Sequence, residues 1–171
     1  MTASLTSTTA DTTNHHACFI DNRWRPGTST ERIVSVDPSS GAVLWDEPSA
    51  NADDVNQAVA AARAALPAWR STPVAERRAI LQRFATIVDE SRATLAAAIS
   101  AETGKPRWEA DTEVASVIGK VDLALAAFEE RTPTVEISAT ASLTHQPTGV
   151  MAVLGPFNFP AHLPNGRSCL R

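Results

Sequence analysis

The sequence predicts an α/β protein in incomplete form: strand hairpins, then a helical layer, then the first strand of a larger sheet. Three observations carry this prediction. Short β-branched and aromatic runs, broken by turn residues, occupy roughly the first quarter after an opening tail. Apolar residues at three- and four-residue steps fill the middle. One continuous apolar run, Val150 to Leu154, then reads as a buried parallel strand. A single such strand cannot make a doubly wound sheet, and no partner run appears in the sequence.

The elements follow in order. Met1 to Ala17 is rich in Thr and Ser, lacks Lys and Arg, and reads as a disordered tail; residues 18–171 form the one partial domain. Phe19-Ile20 and Arg23-Trp24 flank Asp21-Asn22, a pair that tolerates turn geometry, so a small hairpin is expected. Ile33 to Val36 and Ala42 to Trp45 are two further strands around Asp37-Pro38 and a Ser-Ser-Gly turn. Asn51 is a helix N-cap, with Asp53 and Asp54 where the helix dipole favours negative charge. Val55, Val59, Ala62, Leu66 and Trp69 share one face of that helix, and Pro67 should kink or end it. Thr72-Pro73 is expected to cap the next helix, which carries Leu81, Phe84 and Val88. Ser91 starts a further segment with Leu95 and Ile99, ended by Gly104, and Pro106 begins another helix. Val114, Val117, Ile118, Val121, Leu125 and Phe128 form its apolar stripe, with Gly119 placed for close packing, and Thr132-Pro133 ends it. Ser142 to His145 alternates like a strand.

Composition bounds the function. The chain has 171 residues, 43% hydrophobic and 20% charged, with net charge -4. No basic face points to nucleic acid, and no apolar run approaches the ~18 residues of a membrane helix. The tail lacks the basic start and apolar stretch of a secretion signal, and Asp11 argues against a mitochondrial presequence. Two distant cysteines, Cys18 and Cys169, do not make a disulfide framework, so a reducing, cytoplasmic setting is expected. His15 and His16 are not read as a metal site, and no other metal site is expected. Arg77, Arg78, Arg83, Asp89 and Glu90 read as a solvated helix face.

Three segments carry a resemblance. Val36 to Gly41 resembles the Asn-Pro-x-Thr-Gly turn near the start of aldehyde dehydrogenases. Glu102-Thr103-Gly104-Lys105-Pro106 resembles their Glu-Thr-Gly-Lys-Pro connector. Gly155-Pro156-Phe157-Asn158-Phe159-Pro160 resembles their Pro-Trp-Asn-Phe-Pro loop, with Phe157 in place of the usual Trp. The first is weak alone; the other two, in this order and spacing, are specific. The run Gly155 to Gly166, GPFNFPAHLPNG, and the run Glu102 to Glu109, ETGKPRWE, are similar to the succinylglutamate semialdehyde dehydrogenases of arginine degradation.

The resemblance implies a fold, an activity and a site. The strand at Val150 to Leu154 would open the dinucleotide-binding sheet, and the early strands and Ser142 to His145 would serve oligomerisation, the intact family being homo-oligomeric. The reaction would be covalent oxidation of a small-molecule aldehyde: a cysteine thiolate attacks, hydride passes to NAD, and a glutamate-activated water releases the acid. Asn158 would be the catalytic donor to the aldehyde oxygen. Read from the local sequence alone, Asn158 instead caps a helix or holds a turn. Leu154, Gly155, Pro156 and Phe157 would line the nicotinamide side of the cofactor cleft, chiefly through backbone, or simply turn the chain. Phe159 and His162 would face the aldehyde tunnel, His162 meeting a substrate carboxylate or serving structure only. Lys105 and Glu102 suggest an exposed ion pair of structural value.

The family's phosphate-cradling, base and nucleophile motifs are absent from these residues. The resemblance implies that Cys169 is not the family nucleophile, which comes much later in a different sequence setting, and Arg167 to Arg171 does not match the helix expected after Asn165-Gly166. The expectation is an amino-terminal piece, inactive alone, with a non-catalytic oligomerisation module as the alternative.

Overall fold

The computed structural model describes residues 18–168. The expected tail with His15 and His16, and the Cys169 segment, lie outside the described residues.

Six strands and five helices are described, and the strands pair only as three antiparallel hairpins. β1 (Cys18–Ile20) and β2 (Arg23–Arg25) join through Asp21 and Asn22, at φ 52 and 58. Two successive left-handed residues are what a tight two-residue turn needs to match the strand twist. Alternation buries Cys18 and Ile20 and turns Phe19 outward, where its ring meets that of Trp24 across the pair at 4.9 Å. β3 (Arg32–Val36) and β4 (Val43–Pro48) follow, with a bulge between Ser35 and Val36. Asp37 closes their turn, its carboxylate accepting from the Ser39 amide at 2.7 Å and hydroxyl at 2.6 Å.

Four helices come next: α1 (Ala52–Ser71), α2 (Val74–Glu90), α3 (Arg92–Thr103) and α4 (Arg107–Arg131). Asn51 caps α1 in a reciprocal box with Asp54. Asp54 is itself buried, because the Thr28 amide and hydroxyl both donate to it at 2.8 Å and Arg25 approaches at 3.4 Å. Pro67 does not end α1, which runs four residues beyond it. A proline forgoes one intrahelical bond, and the remaining backbone bonds carry the helix to Ser71. Thr72 closes α1 rather than capping α2; its amide donates to the Ala68 and Trp69 carbonyls, and Pro73 takes the cap position. Ser91 stands before α3 but makes no side-chain cap bond.

The core sits where α4 crosses α2 and α3, built from Val88, Ala96, Ile99, Ala110, Val114 and Val117. Ala96 and Ala110 are almost fully buried, and such small side chains let helices approach closely. Val121 and Leu125 extend the buried stripe as periodicity predicts. Gly119 has no close neighbour: a Cβ there would meet nothing within 4 Å. The expected apolar face of α1 is not core either. Val55, Val59 and Trp69 are exposed.

β5 (Val135–Ser138) and β6 (Ala141–Leu143) form the third hairpin, exposed throughout. β6 matches part of the expected Ser142–His145 strand; β5 was not anticipated. Val150 to Leu154 is not a strand in this structure, and Val150, Met151 and Leu154 are exposed. A strand exists through its ladder bonds, and no described segment pairs with this one. The short helix α5 (His162–Ser168) packs back on α4. Among the described residues no helix is long and apolar enough to cross a membrane.

Candidate active-site loop

The segment from Gly155 to Ala161 has no regular ladder or helix of its own, so its shape depends on what it touches. Two charged side chains hold it. Lys105 Nζ donates to the Asn158 carbonyl at 2.8 Å and to Glu113 Oε2 at 2.7 Å. Glu113 Oε1 accepts the amides of Ala161 at 2.9 Å and His162 at 3.1 Å. Each residue thus grips the loop while gripping the other. The pair is buried, with side chains 9% and 1% exposed for Lys105 and Glu113. The Lys105 ammonium also stands 4.4 Å from the centre of the Phe159 ring, a favourable cation–π distance.

Burial by itself would raise the pKa of Glu113. The Lys105 hydrogen bond, the two backbone donors and the Lys105 charge outweigh it, so the carboxyl lies below its ordinary value and is ionised near neutrality.

Local sequence places both charges. Gly104, at φ 72, ends α3 in the left-handed conformation and reverses the chain. Ser100 Oγ then donates to the Lys105 carbonyl at 2.7 Å, fixing the backbone from which Lys105 projects. Glu113 stands on the buried face of α4, between Ala110 and Val117 of the core.

The three signature segments meet here. A Cβ on Gly104 would lie 2.7 Å from Pro38 Cγ, so the connector abuts the β3–β4 turn. Glu102 accepts from Trp45 Nε1 at 2.7 Å and from the Ser35 hydroxyl. Glu102 is therefore bonded to the hairpin and not to Lys105, which corrects the expected Lys105–Glu102 pair. The expected solvated face of α2 also makes specific bonds: Arg78 pairs with Glu129 and Arg77 lies over the Phe128 ring.

Most of the other candidate residues lie on or beside this loop. The Asn158 residue is exposed, and no partner of its side chain occurs among the described residues. Leu154 is 89% and Phe157 92% exposed, a degree of exposure unusual for large apolar groups. Gly155 passes so close to α5 that a Cβ would lie 2.3 Å from Pro164 Cγ. Phe159 and His162 meet edge to face at 5.9 Å, and His162 Nδ1 is buried without a hydrogen-bond partner among the described residues.

Sequence reasoning missed Glu113 and the contact between Lys105 and the loop. One signal was available: a carboxylate within the apolar stripe of α4, where an ionised side chain needs a partner.

The chain belongs to the aldehyde dehydrogenase family, whose pattern it matches over residues 24–170. Among relatives, it is 50% identical over 151 residues to "N-succinylglutamate 5-semialdehyde dehydrogenase 2" of Caulobacter vibrioides. It is 48% identical over 147 residues to the "N-succinylglutamate 5-semialdehyde dehydrogenase" of Erwinia tasmaniensis. Each match covers 86% of this chain but only 31% and 30% of the relative, so the chain spans about a third of their length. Among solved structures it is similar to a succinate-semialdehyde dehydrogenase from Burkholderia pseudomallei, with TM-score 0.81 and 28% identity. That match covers 92% of this chain and 34% of the other. The partial α/β arrangement expected from sequence therefore stands, although its large sheet is not formed among the described residues.

Proposed function

We propose that these residues are the amino-terminal part of an NAD-linked aldehyde dehydrogenase that oxidises N-succinylglutamate 5-semialdehyde. In this reading Asn158 Nδ2 donates to the aldehyde oxygen. One observation carries it: the loop is held through its backbone, which leaves the Asn158 side chain exposed and without a described partner.

Attack of a nucleophile on an aldehyde carbon moves negative charge onto the oxygen. A neutral amide donor aimed there stabilises that charge and takes no part in proton transfer. Its backbone must not drift as the charge forms, and the Lys105 and Glu113 bonds supply that restraint. The nicotinamide cofactor, when bound, supplies the oxidant. Leu154 to Phe157 fit a position against it, since two exposed apolar side chains and a glycine suit contact with a flat ring. Phe159 and His162 are assigned to the substrate side. The nucleophilic thiol and its base belong, in this proposal, to parts of the relatives' length that this chain does not span, so the chain by itself should not turn over.

The test has two arms. The purified chain is assayed for NADH formation with succinylglutamate semialdehyde and NAD; clear turnover would refute its expected inactivity. Residues 1–166 are then joined to the remaining part of the Caulobacter vibrioides relative. The hybrid should oxidise the aldehyde, and Asn158→Ala in it should lower kcat by about 10²–10³. An unchanged kcat would remove Asn158 from the mechanism.

One observation favours a second reading, a non-catalytic pairing module. The β5–β6 hairpin exposes Val135, Ile137 and Leu143 along strands whose outer edges pair with no other described strand. Co-purification of the chain with a full-length relative would support it; a monomer that binds none would oppose it.

A further inference from the structure

We propose that Lys105 and Glu113 form a positioning device for the Asn158 loop, so that the connector between α3 and α4 sets where the oxyanion donor points. The inference rests on the role proposed for Asn158. It assigns to the Glu102–Pro106 signature a task beyond joining two helices.

The geometry is reciprocal. The Lys105 ammonium bonds the carbonyl of Asn158 itself, and the Glu113 carboxylate bonds the amides of Ala161 and His162. The intervening residues are therefore tied on both sides of Phe159, whose ring lies against the same ammonium. These bonds are charge-assisted, a class stronger than neutral ones. They also leave the two groups tied to each other at 2.7 Å, so neither grip can relax without disturbing the other.

Both ends of the device rest on rigid parts. Lys105 follows Gly104, whose tight turn abuts Pro38, and Glu113 lies on α4 beside core residues. Asn165, on α5, adds a bond from its side-chain amide to the Val117 carbonyl at 3.0 Å. The loop is thereby referenced to the helical layer. Asn158 contributes only its carbonyl to this hold, so its side chain stays available for other work.

The test uses the 171-residue chain and two nuclear magnetic resonance readouts: exchange of the Ala161 and His162 amides, and the side-chain amide signals of Asn158. Core amides of α4 are the control. Lys105→Met should speed exchange at Ala161 and His162 about ten-fold or more and shift the Asn158 side-chain signals, with core α4 protection retained. Lys105→Arg, which keeps a charged donor, should restore most of the protection. If Lys105→Met unfolds the chain, the double variant Lys105→Met with Glu113→Met leaves no buried unpaired charge and is measured instead. Native-like exchange and Asn158 signals in either variant would overturn the proposal. So would exchange that rises equally throughout α4, because that marks general loosening.

Asn158→Ala separates the two readings. It should leave Ala161 and His162 exchange unchanged, since the hold uses the Asn158 carbonyl. A hybrid enzyme unaffected by Asn158→Ala would refute the oxyanion role while leaving the positioning result intact.

Discussion

Replacing Glu113 with alanine removes the nearer carboxylate beside a buried ammonium, and the cost follows from what is left behind. Lys105, with a side chain 9% exposed, would lose its partner at 2.7 Å. Removing one member of a buried pair costs about 3–5 kcal/mol. Lys105 would keep the Asn158 carbonyl at 2.8 Å, the Phe159 ring at 4.4 Å and Glu109 at 4.0 Å, which argues for the lower end. The amides of Ala161 and His162 would lose their acceptor, but the loop is open enough for water to replace it, adding at most about 1 kcal/mol. The expected loss is therefore about 3–4 kcal/mol. Glu113→Gln keeps an acceptor oxygen and loses the charge, so about 1.5–2 kcal/mol is expected for it. Urea denaturation near neutral pH, followed by far-ultraviolet circular dichroism, measures both. A loss below about 1 kcal/mol for the alanine variant, with unchanged denaturant slope, would refute the reasoning. So would a glutamine variant less stable than the alanine one.

Two further outcomes test other parts of the frame. Gly104→Ala should cost about 1–2 kcal/mol, because it puts a side chain at φ 72 and directs a Cβ at the Pro38 ring, 2.7 Å away; a neutral result in the same denaturation assay would oppose the close contact. The acid limb has a defined sign. Glu113 and Asp54 lie below their ordinary values of 4.5 and 3.8, so each contributes stability that is fully present above those values and is lost as pH falls through the folded-state values. Unfolding free energy should be nearly level from neutrality to about pH 5 and fall below it. Glu113→Gln should reduce that fall, and an unchanged acid limb in this variant would contradict the assigned shift.

The first two hairpins, the stop at Gly104 and the α4 core were legible because they depend on neighbours in sequence. Asp21-Asn22 tolerates the left-handed geometry of a tight turn, Gly104 ends α3 by entering the left-handed region, and the steps from Val114 to Leu125 mark one helical face. Periodicity succeeded less well where it predicted burial. The α1 face is as regular as that of α4, but regular spacing shows only that residues share a face, and Val55 and Val59 remain exposed.

The sequence by itself determined the family and marked the candidate loop with Asn158 in it, because these reside in short ordered motifs. Tertiary structure decided what those motifs do for one another. Glu102 bonds the β3–β4 hairpin, Gly104 abuts Pro38, and Lys105 reaches forward to Asn158. Glu113 completes the arrangement from within an apolar stripe, where its charge is tolerated only because an ammonium and two amides converge on it. The physical reason is distance along the chain. Lys105 and Asn158 stand 53 residues apart, and only the packing of α4 on α3 and α5 brings them within one hydrogen bond.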